Sequence, residues 1–278
     1  MDRQKIKELV KEKYSEIALQ ETETSCCSSG CCSSEVYNIM SEDYSLVEGY
    51  NSDADLGLGC GLPTEFARIE KGDIVVDLGS GAGNDCFVAR AETGEEGRVI
   101  GVDFSETMLE KAKENAKKRG YNNINFLLGD IENLPIEDNT ADVVISNCVL
   151  NLLPSKDRIF HEIFRVLKPN SHFCVSDVVI IGNLPEKIKN AAEMYVGCIS
   201  GAIQKNEYLK EILKAGFSNI IIEKEKPIFI PDDILVKYLN PEELERFKID
   251  KPRIISITVT GEKTPNCESC NGECNSCC

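Results

Sequence analysis

The sequence predicts an α/β fold: a mostly parallel sheet with helices on both faces, plus a C-terminal α+β region. Three observations carry this expectation. Short apolar runs alternate with amphipathic stretches from Asp73 to about residue 182, the pattern of parallel strands joined by crossover helices. A glycine-rich turn, DLGSGAG (77–83), follows the first apolar run and opens the first helix. An acid, Asp103, ends the next strand about twenty residues later, where it can accept hydrogen bonds from ribose hydroxyls.

Residues 2–19 read as a charged helix with Ile6, Leu9, Val10 and Ile17 at helical spacing. The Ser-rich loop ETETSCCSSGCCSSE follows, then helical or irregular structure to about residue 70, broken by LGLGCGLP. IVVDL (74–78) suits a strand buried on both faces. NDCFVARAE reads as a helix and RVIGVDF (98–104) as the second strand. In SETMLEKAKENAKKRG, Ser105 suits an N-cap, Met108, Leu109 and Ala112 mark the apolar face, and Gly120 suits the stop. NINFLLGD and ADVVISNCVL are the third and fourth strands, SKDRIFHEIFRVLKPN a helix ended by Pro169, and HFCVSDVV the fifth strand. Beyond residue 182, PEKIKNAAEMYVGCISGA and KNEYLKEILKAGF read as helices; SNIIIEKEKPIFI and PRIISITVTG read as strands, antiparallel at one edge. The expected organisation is an N-terminal helical segment over the cofactor (1–70), a cofactor-binding domain (71–182), a C-terminal α+β region contributing to the substrate site (183–262) and a Cys-rich tail (263–278).

A hydrophobic content of 42% supports a core, and a net charge of −16 argues against nucleic acid or an anionic membrane surface as partner. The N-terminus has no apolar signal region, and no apolar run approaches the roughly 20 residues of a membrane span. These features point to the cytoplasm, and nothing in them demands more than a monomer. There, fourteen cysteines indicate metal binding or catalysis rather than a disulfide framework. With only His161 and His172 as imidazoles, a metal or metalloid site must be mostly sulfur.

Gly79, Gly81 and Gly83 permit close backbone approach by a ligand, either a dinucleotide or S-adenosylmethionine. Asp77 before the first glycine suits an amine better than a pyrophosphate, and Asp130 and Glu132 in GDIENLP are placed to meet an adenine amino group. Residues 72–182 resemble the class I, Rossmann-like S-adenosylmethionine-dependent methyltransferases, including the RVLKPN and VSD segments. The resemblance implies that Asp77, Gly79, Gly81, Asp103, Phe104, Met108, Asp130, Ile131 and Glu132 line the cofactor and that Asn147 lies near the methyl group. Phe104 stands where relatives commonly show methionine.

Ligands of parallel α/β sheets bind at the carboxyl ends of the strands, so Cys148 should face the transferred methyl. SDADLGLGCG before the glycine turn, SNCVLNL after the fourth strand and YVGCISGA beyond the fifth closely resemble the arsenite S-adenosylmethionine methyltransferases, as does the opening VKEKYSEIAL, over about residues 8–225. That resemblance implies that Cys60, Cys148 and Cys198 bind As(III) and that the products are methylated arsenicals. Trivalent arsenic on three thiolates keeps a lone pair that can act as the nucleophile, so catalysis rests on positioning and the cofactor supplies the reactive group. Thiolate ligands must be deprotonated, so binding should weaken at low pH. A thiol reductant, glutathione or thioredoxin, is the expected co-substrate wherever arsenic or the cysteines become oxidised.

Cys26 or Cys27 can match the upstream cysteine of the family; Cys86 suits either a disulfide with a neighbour during turnover or packing, and Cys174 suits packing. Cys267, Cys270, Cys274, Cys277 and Cys278 are spaced too tightly for a zinc finger and form an accessory soft-metal clasp, either delivering arsenite or dispensable. Two other readings compete: a methyltransferase for another thiophilic or small organic acceptor, and a metalloid-binding resistance protein without turnover.

Overall fold

A computed structural model of the chain describes residues 3–19, 42–189 and 201–265. Its centre is one seven-stranded sheet in the order β3-β2-β1-β4-β5-β7-β6. The strands are β1 (Ile74–Leu78), β2 (Arg98–Asp103), β3 (Ile124–Leu128), β4 (Ala141–Asn147), β5 (Leu167–Ile181), β6 (Ser218–Ile228) and β7 (Arg253–Glu262). The first five pair in parallel, and β7 runs antiparallel between β5 and β6. The C-terminal strands therefore extend the cofactor-domain sheet itself.

Among the described residues the α-helices are α1 (Arg3–Leu19), α2 (Pro63–Phe66), α3 (Asn84–Thr93), α4 (Glu106–Lys118), α5 (Lys156–Val166), α6 (Glu186–Lys189), α7 (Lys205–Lys214), α8 (Asp232–Leu235) and α9 (Pro241–Asp250). Alternate residues of each strand feed two apolar layers. Val75, Val99 and Val143 pack with Phe87 of α3 and Leu109 and Ala112 of α4. Val76, Ile100 and Val144 pack with Ile159, Phe160 and Ile163 of α5 and Tyr208 and Ile212 of α7. Full burial of such a side chain stabilises the fold by about 1.5–3 kcal/mol. At α4 the Ser105 hydroxyl accepts from the Met108 amide, the cap its position suggests.

Three expectations are corrected. The helix before β5 ends at Val166 rather than at Pro169, because the residue ahead of a proline disfavours helical backbone; Leu167 already pairs with Ala141. The fourth strand stops at Asn147, since Cys148 turns the chain with φ +59°. Residues 231–251, unassigned from the sequence, carry α8 and α9; Asn240 and Glu243 cap α9 reciprocally.

Candidate active site

Strand register sets the site. Leu78 of β1 lies opposite Val102 of β2 and Ser146 of β4, so the residues that follow, Gly79, Asp103 and Asn147, stand side by side at the carboxyl edge of the sheet. A cleft opens there. Gly79, Ser80 and Gly81 form its floor, Phe104, Leu152 and Tyr14 of α1 are apolar walls, and Asp55, Asp85 and Asp103 supply carboxylates.

The glycine turn is a cradle. Gly79 has φ +70°, and a Cβ there would meet the Val149 side chain at 2.4 Å. Gly81 has φ +50° and open space where a Cβ would stand. The Ser80 hydroxyl is buried without a hydrogen-bond partner, a group that a ligand would satisfy. Asp103 accepts from the Gly81 amide at 3.0 Å and the Ser105 amide at 2.8 Å. Burial holds its carboxyl above the usual range, opposed by these amide bonds.

Asp77 is buried behind the turn, where the Cys86 thiol donates to it at 3.2 Å. Burial, then the neighbouring Asp85 carboxylate, pushes Asp77 well up, and burial followed by Asp77 does the same to the Cys86 thiol. Asp85 is pushed up to about 6 by burial, against the hydrogen bonds it accepts from Tyr44 and Asn147. Such a concentration of buried acid repels a pyrophosphate and favours a cationic ligand.

Two thiols converge beside the cleft. Cys60 sits between glycines that let its loop lie against the sheet edge: a Cβ on Gly59 would meet Asn147 Nδ2 at 2.7 Å, and one on Gly61 would meet Ser176 Oγ at 2.5 Å. The Cys60 amide donates to Asn147 Oδ1 at 3.0 Å, and its carbonyl accepts from the Ser256 hydroxyl at 2.6 Å. Cys148 follows Asn147 directly, in left-handed backbone that a non-glycine residue rarely adopts, and its amide donates to the Ser176 carbonyl at 2.8 Å. Both cysteines are buried in one apolar cluster with Leu152, Val178 and Ile180. Gly201 packs so tightly on Asn151 that a Cβ would meet its carbonyl oxygen at 1.8 Å, which ties Gly201 to the turn after Cys148. On the other side of β5, burial pushes Asp177 up to about 7, opposed by Lys156; it accepts from the Tyr208 hydroxyl at 3.2 Å.

Comparison with known proteins starts from the domain. A methyltransferase-domain family model matches residues 69–216. An arsenite methyltransferase of Halobacterium salinarum is 40% identical over 250 residues, which is 83% of this chain and 62% of that protein. One from Mus musculus is 36% identical over 219 residues, 76% of this chain and 55% of that protein. The chain thus spans a little over half of the curated relatives it matches. The crystal structure of an arsenic(III) S-adenosylmethionine methyltransferase from Chlamydomonas reinhardtii superposes with a TM-score of 0.65 at 35% identity, covering 75% of this chain and 68% of that one. The chain belongs to the arsenic(III) S-adenosylmethionine methyltransferase family.

Against that family frame, the structure distributes the expected residues unevenly. Gly79, Gly81, Asp103, Phe104, Asn147 and Cys148 line the cleft. Asp77 stands one layer behind it. Met108 and Ile131 are buried in the core, Met108 on the inner face of α4. The Asp130 and Glu132 carboxylates are both held by Lys7 Nζ of α1, each at 2.5 Å, while Glu132 Oε1 is buried without a hydrogen-bond partner. Cys198, the accessory Cys26 and Cys27, and the five tail cysteines lie outside the described residues. Cys174 is buried on β5 with its thiol raised by burial.

Sequence reasoning missed Tyr14, Tyr44, Asp55 and Asp85, all lining the cleft. Only Asp85 carried a signal, its place in the helical turn that follows the glycines. Among the described residues no helix is long and apolar enough to cross a membrane.

Proposed function

We propose that the protein transfers methyl groups from S-adenosylmethionine to arsenite held as a thiolate complex, yielding methylated arsenicals. The observation that supports this most directly is the convergence of Cys60 and Cys148 on Asn147, at the lip of an acidic cleft floored by a glycine cradle. The cleft fits the cofactor: Gly81 leaves room, the Ser80 hydroxyl has no partner, and the carboxylates favour its positive charge. When bound, the cofactor supplies a methyl group already activated by a cationic sulfur.

The chain's own residues then have three tasks. Cys60 and Cys148, joined by Cys198, hold As(III) with its lone pair directed at the cleft. Asn147 fixes the Cys60 loop through its amide and so sets the distance between arsenic and methyl donor. Leu152, Val178 and Ile180 keep water from the arsenic side. In the transfer the arsenic lone pair would take the cofactor's methyl carbon as the C–S bond electrons return to sulfur, so that arsenic passes from the trivalent to the pentavalent state. A thiol reductant, two glutathiones or one thioredoxin dithiol, returns it to the trivalent state by supplying two electrons and is itself oxidised to a disulfide.

One chain contributes both described thiols and the cleft, so the working unit is taken as a monomer. Thiols at Cys60, Cys86, Cys148 and Cys174 suit a reducing, cytoplasmic compartment. The test is incubation of the purified chain with methyl-labelled S-adenosylmethionine and a thiol, in parallel with arsenite, antimonite or no metalloid, followed by separation of the labelled products. Label in methylated arsenic is the expected result. Label only in antimony species or in the added thiol reassigns the substrate; tight arsenite binding with no label transfer makes the chain a sequestering protein.

A further inference from the structure

Tyr44 and Asp85 do more than border the cleft. The Tyr44 hydroxyl donates to Asp85 Oδ1 at 2.7 Å and accepts from Asn147 Nδ2 at 2.6 Å. Asn147 Nδ2 also lies 3.1 Å from Asp85 Oδ2 and 2.9 Å from the Gly61 carbonyl, while its Oδ1 accepts from the Cys60 amide. One half-buried network thus runs from a carboxylate in the cleft wall to the backbone on both sides of the Cys60 side chain. Tyr44 is 5% exposed, so no water is needed to complete the path.

We propose that Asp85 and Tyr44 are positioning residues that couple the methyl-donor cleft to the Cys60 loop, so that a cationic ligand in the cleft tightens arsenite binding at Cys60. This rests on the functional reading above and deepens it. A cation beside Asp85 stabilises the carboxylate as an acceptor, and charged acceptors form the stronger hydrogen bonds. The Tyr44 and Asn147 donors are then held in place, and with them the backbone amide of Cys60. The loop pays its ordering cost when the cofactor binds, and arsenite meets a preformed thiol. Coupling of this kind is reciprocal: arsenite must tighten cofactor binding by the same factor.

The test reads Cys60 alone, so the clustered cysteines do not contribute. Cys60 is fully buried and is reached by reagent only when its loop opens. The full chain is alkylated with iodoacetamide over a series of arsenite concentrations, with and without saturating sinefungin, an amine-bearing analogue that transfers no methyl group. Modification at Cys60 is read by peptide mass spectrometry. In the wild type, sinefungin should lower the half-protecting arsenite concentration about 10-fold. Tyr44→Phe, which keeps the ring, and Asp85→Asn, which keeps the shape, should each reduce that shift to less than about 2-fold, and Tyr44→Phe should raise the arsenite KM more than it lowers kcat. Absence of a shift in the wild type overturns the proposal, as does its survival in whichever variants fold. The protection assay needs no turnover, so it remains decisive whether or not the labelled-methyl assay detects methylated arsenic.

Discussion

At the level of single residues, the described cysteines separate by what their neighbours do. Cys60 is hydrogen-bonded to Asn147 at the cleft and Cys148 follows that asparagine in the chain; Cys86 is a thiol donor to Asp77, and Cys174 is strand packing. Cys148→Ser and Cys60→Ser should each lower arsenite methylation by about 100-fold or more, since misplacing a reacting atom forfeits the gain from orientation. Cys174→Ser should keep methylation within about 3-fold of wild type while costing ~1–3 kcal/mol in denaturant unfolding, the price of a buried hydroxyl. Inactive Cys174→Ser with an intact fold would contradict the assignment. Asp85 supplies a pH prediction. Its ordinary value is 3.8 and the folded chain raises it to about 6. Below both values the acid is neutral in either state and burial is harmless. As pH rises from 3.8 to about 6 the unfolded chain ionises while the folded one holds its proton, so stability falls across that window by on the order of 3 kcal/mol and the loss is complete above 6. Asp85→Asn should therefore gain melting temperature over the wild type as pH rises from 4 to 7, both measured without ligand; a difference independent of pH would contradict the buried-acid account.

Among the elements, α1 adds side chains to the cleft from outside the sheet domain. It packs against α4 and the turn at Leu150–Leu152, buries Val10, and brings Tyr14 to the cleft and Lys7 to Asp130 and Glu132. Val10→Asp should undock the helix and weaken S-adenosylhomocysteine binding about 10-fold by calorimetry while the sheet unfolds at nearly its original temperature, because α1 lies outside the two layers that cover the sheet. Unchanged affinity would remove α1 from the site. What the sequence made readable follows from local physics. The continuous apolar runs of β1 and β4, the Ser105 cap and the glycine turn each carry their own signal. The Asn240–Glu243 capping box was equally local, yet α9 buries no side chain fully and sets only Leu244 and Phe247 against the core, a short stripe to accompany the cap. Tyr44 lies in an aperiodic stretch, and its meeting with Asp85 depends on loop closure that no spacing reveals. The approach of Cys60 to Cys148 was likewise legible only through family resemblance; the physical reason appears with Gly59 and Gly61, whose missing side chains admit the loop to the sheet edge.

For the whole molecule, the sheet order and registers bring the glycine turn, Asp103, Asn147 and Cys148 to one edge, and the antiparallel β7 adds Ser256 as an anchor for the Cys60 loop. The C-terminal strands are thus part of the site as well as of the core. Lys263 marks where that integral part ends: its ammonium donates to the Phe164 and Leu167 carbonyls and to Asn139. A chain shortened after Pro265 should accordingly keep its melting temperature and its rate at saturating arsenite, whereas cutting after Gly261 should destabilise it. If the tail delivers substrate, the shorter chain will be slower only at low arsenite; equal rates there would make the tail dispensable. The most direct test of thiolate-bound arsenite as the methyl acceptor is label transfer from S-adenosylmethionine, measured on the chain shortened after Pro265 and on the same chain carrying Cys148→Ser. Labelled methylarsenic from the first and almost none from the second is the predicted result. Transfer that proceeds equally in both, or none to arsenic in either, would contradict it.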